Sequence, residues 1–170
     1  MVDPIFVRTV TAADLPAVAR LAAGLVQYHR ALDPLRFMTI ENVTAGYEAF
    51  LRAELANPAA VVLCATRRED PAVLGYAYAV VEGRDWNALL DRHGAIHDVF
   101  VDASARRLGV AEALLSAACA RLKKRGVPRV VLHTAVQNVE AQALFAKLGF
   151  RPTMLEMTRE LADDDGPTPT

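Results

Sequence analysis

The chain has 170 residues, 53% of them hydrophobic and 23% charged, with a net charge of −1. That length makes one domain with a sizeable core; no apolar run reaches the ~20 residues of a membrane span, and Met-Val-Asp-Pro lacks the basic, then apolar, character of a secretory leader, so a cytoplasmic location is expected. The near-neutral charge argues against nucleic acid as a partner, and Cys64 and Cys119 sit inside apolar runs as buried thiols, with no Cys/His spacing that would hold a metal.

In chain order, Ile5 to Thr9 reads as a first strand. Thr11 and Asp14 have the spacing of a capping box. Leu15, Val18, Leu21, Ala22, Leu25 and Val26 follow at helical intervals, up to Asp33-Pro34. A second helix is expected from about Ile40 to Leu55, closed by Asn57-Pro58. Ala60 to Thr66 reads as a buried strand, Arg67 to Pro71 as a hairpin turn and Val73 to Val81 as the returning strand. Residues 82–94 make a polar connection around Trp86, with one helical turn. Ile96 to Val101 is the next strand. Residues 107–125 follow as a helix with Leu108, Ala111, Leu115, Ala118, Cys119 and Leu122 on its core face, stopped by Gly126-Val127-Pro128. Arg129 to Ala135 is a buried strand, and Asn138 caps a helix that ends near Lys147, with Gly149 just past it. Arg151 to Leu161 reads as a last strand, and residues 162–170, acidic and rich in proline and threonine, as a disordered tail. This order makes one α/β domain over residues 1–161, with a mixed central sheet of about six or seven strands flanked by about four helices.

The stretch from Ile96 to Ser116 carries the most specific chemistry. A strand, a basic turn with a glycine and then a helix aim a run of free backbone N–H groups at one point, beside Arg106 and Arg107. Gly109 removes a side chain where backbone must approach a ligand, and Ala111 keeps the next turn small. Residues 102–129 hold seven Lys or Arg against two acids, Asp102 and Glu112, in a chain that is acidic elsewhere. A local patch of that kind suits a compact anion such as a pyrophosphate. Arg121, Lys123, Lys124 and Arg125 fall instead in the last turn of a helix, where cations offset the dipole.

Arg106-x-x-Gly109-x-Ala111, after a strand ending at Val101, resembles the acyl-CoA pyrophosphate loop of the GNAT superfamily of N-acetyltransferases. Asn138-x-x-Ala141-x-x-Leu144-Phe145-x-x-Leu148-Gly149-Phe150 resembles the downstream helix motif of the same superfamily, and the two come in its order. The resemblance implies a GNAT-like fold over residues 5–161 with acetyl-CoA as co-substrate. It implies that the strand at 96–101 splays from the strand at 129–135. The pantetheine arm would lie in that gap, against the backbone of Val99, Phe100 and Val101. The N–H groups of Arg107, Leu108, Gly109, Val110 and Ala111 would hold the pyrophosphate beside the Arg106 side chain, and Asn138 and Phe145 would flank the thioester. Asn138 serves equally as a helix cap.

The reaction implied is direct transfer of the acetyl group to a primary amine of a small molecule or a protein. The amine must lose a proton, which needs a base near the thioester. Asp98, on the strand that cradles the cofactor, is the preferred base, and His97 beside it is the second candidate. Strand alternation sets the two on opposite faces unless a bulge intervenes. Phe145 stands where many members of the superfamily carry a tyrosine that protonates the departing thiolate; phenylalanine has no proton to give. For the acceptor, the sequence offers Tyr28-His29-Arg30, Asp33 to Phe37 with Arg36 for a carboxylate, and Asp85-Trp86. A non-catalytic acyl-CoA-binding module, favoured by Phe145, is an alternative. A tRNA-acetylating toxin is another, opposed by an isoelectric point of 6.4. The resemblance also implies a homodimer contact through Met154, Leu155, Glu156 and Met157.

Overall fold

The computed structural model describes residues 4–161. The tail expected at 162–170 lies outside them. The chain runs β1 (Ile5–Thr9), α1 (Leu15–Leu32), α2 (Val43–Glu54), β2 (Ala60–Arg67), β3 (Gly75–Glu82), β4 (His93–Val101), α3 (Val110–Lys124), β5 (Val130–Leu132) and α4 (Val139–Lys147). Strands lie side by side in that order. Neighbours are antiparallel from β1 to β4, and β5 joins β4 parallel.

Period-two alternation along the central strands sorts side chains between two cores. On one face Val61, Leu63, Ala77 and Ala79 pack with Leu114, Leu115 and Leu122 of α3 and with Phe145 of α4. On the other Val62, Cys64 and Tyr76 pack with Leu15, Val18 and Ala22 of α1 and with Leu51 of α2. Cys64 is fully enclosed and burial pushes its thiol up to about 11, while Cys119 is half-buried. Among the described residues no helix is long and apolar enough to cross a membrane.

The capping box before α1 forms. A short 3₁₀ turn, Ala12–Asp14, leads into the helix, and the Thr11 N–H donates to Asp14 at 2.7 Å. Arg8 clamps the same carboxylate with two bonds of 2.7 and 2.8 Å, holding it well below the usual carboxylate range. Asp14→Ala should lower stability by about 1–2 kcal/mol at neutral pH. The carboxyl titrates lower in the folded than in the unfolded chain. Its contribution is therefore present above about pH 4 and lost as pH falls through the folded value. Melting curves of wild type and variant at pH 7 should differ and converge in acid; coincidence at pH 7 would refute the assignment.

Several elements depart from expectation. Helix α3 starts at Val110, not at 107, because Arg107 and Gly109 take left-handed backbone (φ 64° and 81°) that no right-handed helix accommodates. Leu108, expected on the core face, therefore lies outside the helix and is 42% exposed. The connection at 82–94 holds no helical turn: Asp85 bridges to Leu90, and its carboxylate accepts from the N–H groups of Asn87 and Ala88. The sheet has five strands among the described residues rather than six or seven, and β5 stops at Leu132 instead of Ala135. Arg151 to Leu161 forms no strand. Leu155, Met157 and Leu161 would share one face of a strand and Met154 the other, but all four are exposed and none is packed. Met154 and Met157 stand 87% and 85% exposed, and Glu156 is paired with Arg36.

Candidate active site

β5 pairs with β4 only from Gly94 to Ile96, opposite Val130 to Leu132. From His97 to Val101 the same edge of β4 has no strand beside it among the described residues, matching the splay that the resemblance implied. A cleft opens there. Ile96, Val99 and Phe100 form one wall, and Leu132, His133, Asn138 and Phe145 the other. Val101 turns into the core instead. The Asn138 side chain accepts from the Ala141 N–H at 3.3 Å, capping α4, and from the Tyr28 hydroxyl at 3.2 Å, tying α1 to α4 across the cleft. Phe145 is buried against Phe150, ring centroids 6.1 Å apart.

The loop before α3 lies at the end of the free edge. Among the described residues no protein group accepts from the N–H groups of Leu108, Gly109, Val110 or Ala111, and no side chain caps the helix. A Cβ placed on Gly109 would meet no atom within 4 Å, so the space before the loop is open. Arg107 is exposed, while the Arg106 guanidinium lies over the rings of Phe100 and Tyr28, 5.6 and 5.9 Å from their centroids. Unpaired backbone donors, two arginines and an unpartnered strand edge fit a pyrophosphate followed by an extended amide-bearing arm.

On β4 the register slips. Tyr78 faces Asp98 and Ala79 faces Ile96, leaving His97 as an extra residue. The resulting bulge changes the phase of the strand. Ile96, Val99 and Val101 face the α3 side, whereas Phe100 packs on the α1 side. Simple alternation would separate His97 from Asp98; both instead line one cavity of about 470 Å³, roofed by Val43, Tyr47 and Phe50 of α2. Its rings interlock: Phe50 meets Tyr78 edge-on at 5.3 Å, and Tyr78 stacks on His97 at 5.5 Å.

Two hydrogen-bond systems hold this pair. Asp98 accepts from the Tyr76 hydroxyl at 3.0 Å, and burial pushes its carboxyl above the usual range. Burial, with the Asp98 charge, raises the Tyr47 hydroxyl to about 12. His97 Nε2 lies 2.8 Å from Glu82, whose other oxygen is 3.3 Å from the buried His93. Among the described residues Nδ1 of His97 has no hydrogen-bond partner. Among the described residues His97 alone lines both the cleft and the cavity.

Other sequence candidates lie elsewhere. Tyr28 and His29 line the cleft, and burial lowers the His29 pKa. Arg30 and Leu35 lie on the exposed surface, the Asp33 side chain accepts from the Leu35 and Arg36 N–H groups in its own turn, and Phe37 stacks on His29. Arg36 is engaged by Glu156 and lines neither space. Trp86 is 75% exposed under Arg84, and Asp85 serves its own loop. Sequence reasoning did not single out Tyr47, Phe50, Tyr78 and Glu82. Tyr47 and Phe50 stand three apart on a helix and Tyr78 two from Tyr76 on a strand, but each pair is equally a core pattern, and Glu82 carried no local signal.

A family model described as the acetyltransferase (GNAT) family matches residues 28–150. The chain belongs to that family. This acetyltransferase is also similar in fold to solved structures. The BH1408 protein of Bacillus halodurans, in a tetramutant form, is 19% identical and superposes with a TM-score of 0.77, over 92% of this chain and 99% of its own. Aminoglycoside N-acetyltransferase AAC(6')-Iy, in complex with CoA, is 18% identical with a TM-score of 0.73, over 95% and 97%. Glucosamine-6-phosphate N-acetyltransferase from Arabidopsis thaliana is 14% identical with a TM-score of 0.69, over 94% and 100%. No curated protein sequence matches the chain. The matched segment of this GNAT acetyltransferase contains every wall of the cleft but Leu25, and the whole of the cavity.

Proposed function

We propose that the protein is an N-acetyltransferase that moves an acetyl group from acetyl-CoA directly to a primary amine. The observation that carries this reading is His97, the side chain common to the cleft and the aromatic cavity. A thioester end in the cleft and an amine in the cavity would meet there. Structural relatives that acetylate amines, and one in complex with CoA, support the same reading.

The N–H groups of Leu108 to Ala111 and the side chains of Arg106 and Arg107 would hold the pyrophosphate, and the free edge from Val99 to Val101 the pantetheine amides. Bound acetyl-CoA would supply the acetyl thioester: a C–N bond forms to the acceptor nitrogen and the C–S bond breaks, while the nitrogen, arriving as an ammonium, gives up two protons, one through His97 to solvent and one that balances the proton taken up by the thiolate. His97 takes the proton of the ammonium, with Glu82 fixing its ring, and Asp98 holds the ammonium beside it. A backbone N–H on the unpaired edge of β4 stabilises the negative charge that develops on the carbonyl oxygen. Phe145 cannot protonate the sulfur. The Tyr28 hydroxyl, bonded to Asn138 in the wall of the same cleft, takes that role.

Release of free CoA thiol from acetyl-CoA, followed across a panel of primary amines, tests the function. Amine-dependent release at rates of about 1 s⁻¹ or more is expected. Tight acetyl-CoA binding with no release on any amine would overturn it in favour of a non-catalytic acyl-CoA module. Tyr28→Phe should lower kcat about tenfold or more with the KM for acetyl-CoA unchanged. An unaltered kcat would remove Tyr28 from the mechanism.

A further inference from the structure

The cavity beside His97 has a composition that selects among amines. Its walls are aromatic and aliphatic: Ile40, Val43, Tyr47, Phe50 and the face of Tyr78. The polar side chains of its lining are Asp98, His97 and the phenols of Tyr47 and Tyr78, the last already donating to Glu54. Two more carboxylates stand just behind, Glu54 accepting from the Tyr78 hydroxyl at 2.9 Å and Glu82 bonded to His97. No lysine or arginine lies among its described lining residues. Arg36, the sequence candidate for holding a substrate anion, is paired with Glu156 outside it.

From this arrangement we infer that the acceptor is a monoamine with an aromatic or aliphatic body and no anionic group. The inference rests on the reading of the chain as an N-acetyltransferase and specifies its substrate class. An ammonium beside His97 meets the Asp98 carboxylate in an otherwise mainly aromatic and aliphatic lining. The body of the substrate covers Phe50 and Ile40, which are 44% and 37% exposed in a helix-and-loop roof where only Leu51 of α2 is buried. A phosphate or carboxylate on the substrate would be desolvated among aromatic rings and carboxylates with no cation to receive it. A sugar ring would leave its hydroxyls unpaired on the same walls.

Gly46 supplies a clean probe. It lines the cavity from α2, its backbone is ordinary helix, and a Cβ built there meets nothing within 4 Å. A leucine at this position projects into the cavity while improving helix propensity, so Gly46→Leu should fold at least as well as wild type.

The experiment compares 2-phenylethylamine with glucosamine 6-phosphate and kanamycin as acceptors, reading thiol release from acetyl-CoA. Alongside, calorimetry follows binding of trimethyl(2-phenylethyl)ammonium, which has no N–H to acetylate, to the protein without acetyl-CoA. The expected kcat/KM for 2-phenylethylamine exceeds that of either polar amine by about 100-fold or more. Gly46→Leu should cut it at least tenfold, leaving acetyl-CoA binding unchanged. The quaternary ammonium should bind wild type and be lost in Asp98→Asn. Preference for glucosamine 6-phosphate or kanamycin, or indifference to Gly46→Leu, would overturn the substrate class while leaving N-acetyl transfer intact. Ammonium binding that survives Asp98→Asn, or that wild type lacks, would overturn it as well. Absence of thiol release with every amine would instead overturn the enzymatic reading, and the calorimetry would still decide whether the cavity takes an apolar cation.

Discussion

His97→Ala lowers kcat for acetyl transfer by about 100-fold or more, while acetyl-CoA binds as it does to wild type. The expectation follows from position. The ring stands at the junction of the cleft and the aromatic cavity, held through Nε2 by Glu82 at 2.8 Å, and a Glu82 carboxylate accepting from Nε2–H makes Nδ1 the basic nitrogen. The proton must leave the ammonium before the nitrogen can attack, and the His97 imidazole lining the cavity is placed to take it. A base acts unprotonated, so the wild-type kcat/KM should rise with pH along one acidic limb, and His97→Ala should flatten that limb. Glu82→Gln should keep the limb and lose less rate, because Glu82 positions the ring and does not touch the amine. A His97→Ala enzyme within threefold of wild-type kcat at all pH values would pass the role to Asp98. Its carboxyl is already raised by burial in the same cavity.

Acetyl-CoA at about 100 times its dissociation constant should stabilise the wild type by about 2.7 kcal/mol, which raises Tm by roughly 5–11 °C for a chain of this size. Gly109→Glu should abolish that rise. Two effects combine in the variant. A non-glycine residue at φ 81° costs about 1 kcal/mol, and a carboxylate enters the open space in front of unpaired N–H groups where phosphate would sit. Gly109→Asn separates them, since asparagine tolerates left-handed backbone and carries no charge. The asparagine variant should retain a reduced rise. A full rise in Gly109→Glu would mean that the phosphates lie away from this loop.

The parts of this protein legible in its sequence are those set by short-range physics. Thr11 and Asp14 announce the start of α1 because a cap is completed within one turn, and the bond is there at 2.7 Å. Asn138 announces α4 for the same reason. Gly109 and the arginines before it mark a loop whose open N–H groups depend only on the backbone of neighbouring residues, so that open loop was readable from a few positions. Periodicity was weaker at boundaries. Leu108 keeps helical spacing, yet the left-handed Arg107 and Gly109 set it outside the helix.

What only the tertiary structure decided is everything that needs a partner distant in sequence. Whether Arg151 to Leu161 becomes a strand depends on a neighbouring edge in register. β5 offers only Val130 to Leu132. The destinations of Arg36 and Trp86 were set by Glu156 and Arg84, not by local pattern. Above all, the meeting of His97 and Asp98 in one cavity depends on a slip between Tyr78 and Ala79 on the adjacent strand. A strand's own alternation sets those two residues apart. The extra residue is accommodated by pairing with β3 and by the roof that Tyr47 and Phe50 bring from α2, and neither can be read from β4 itself.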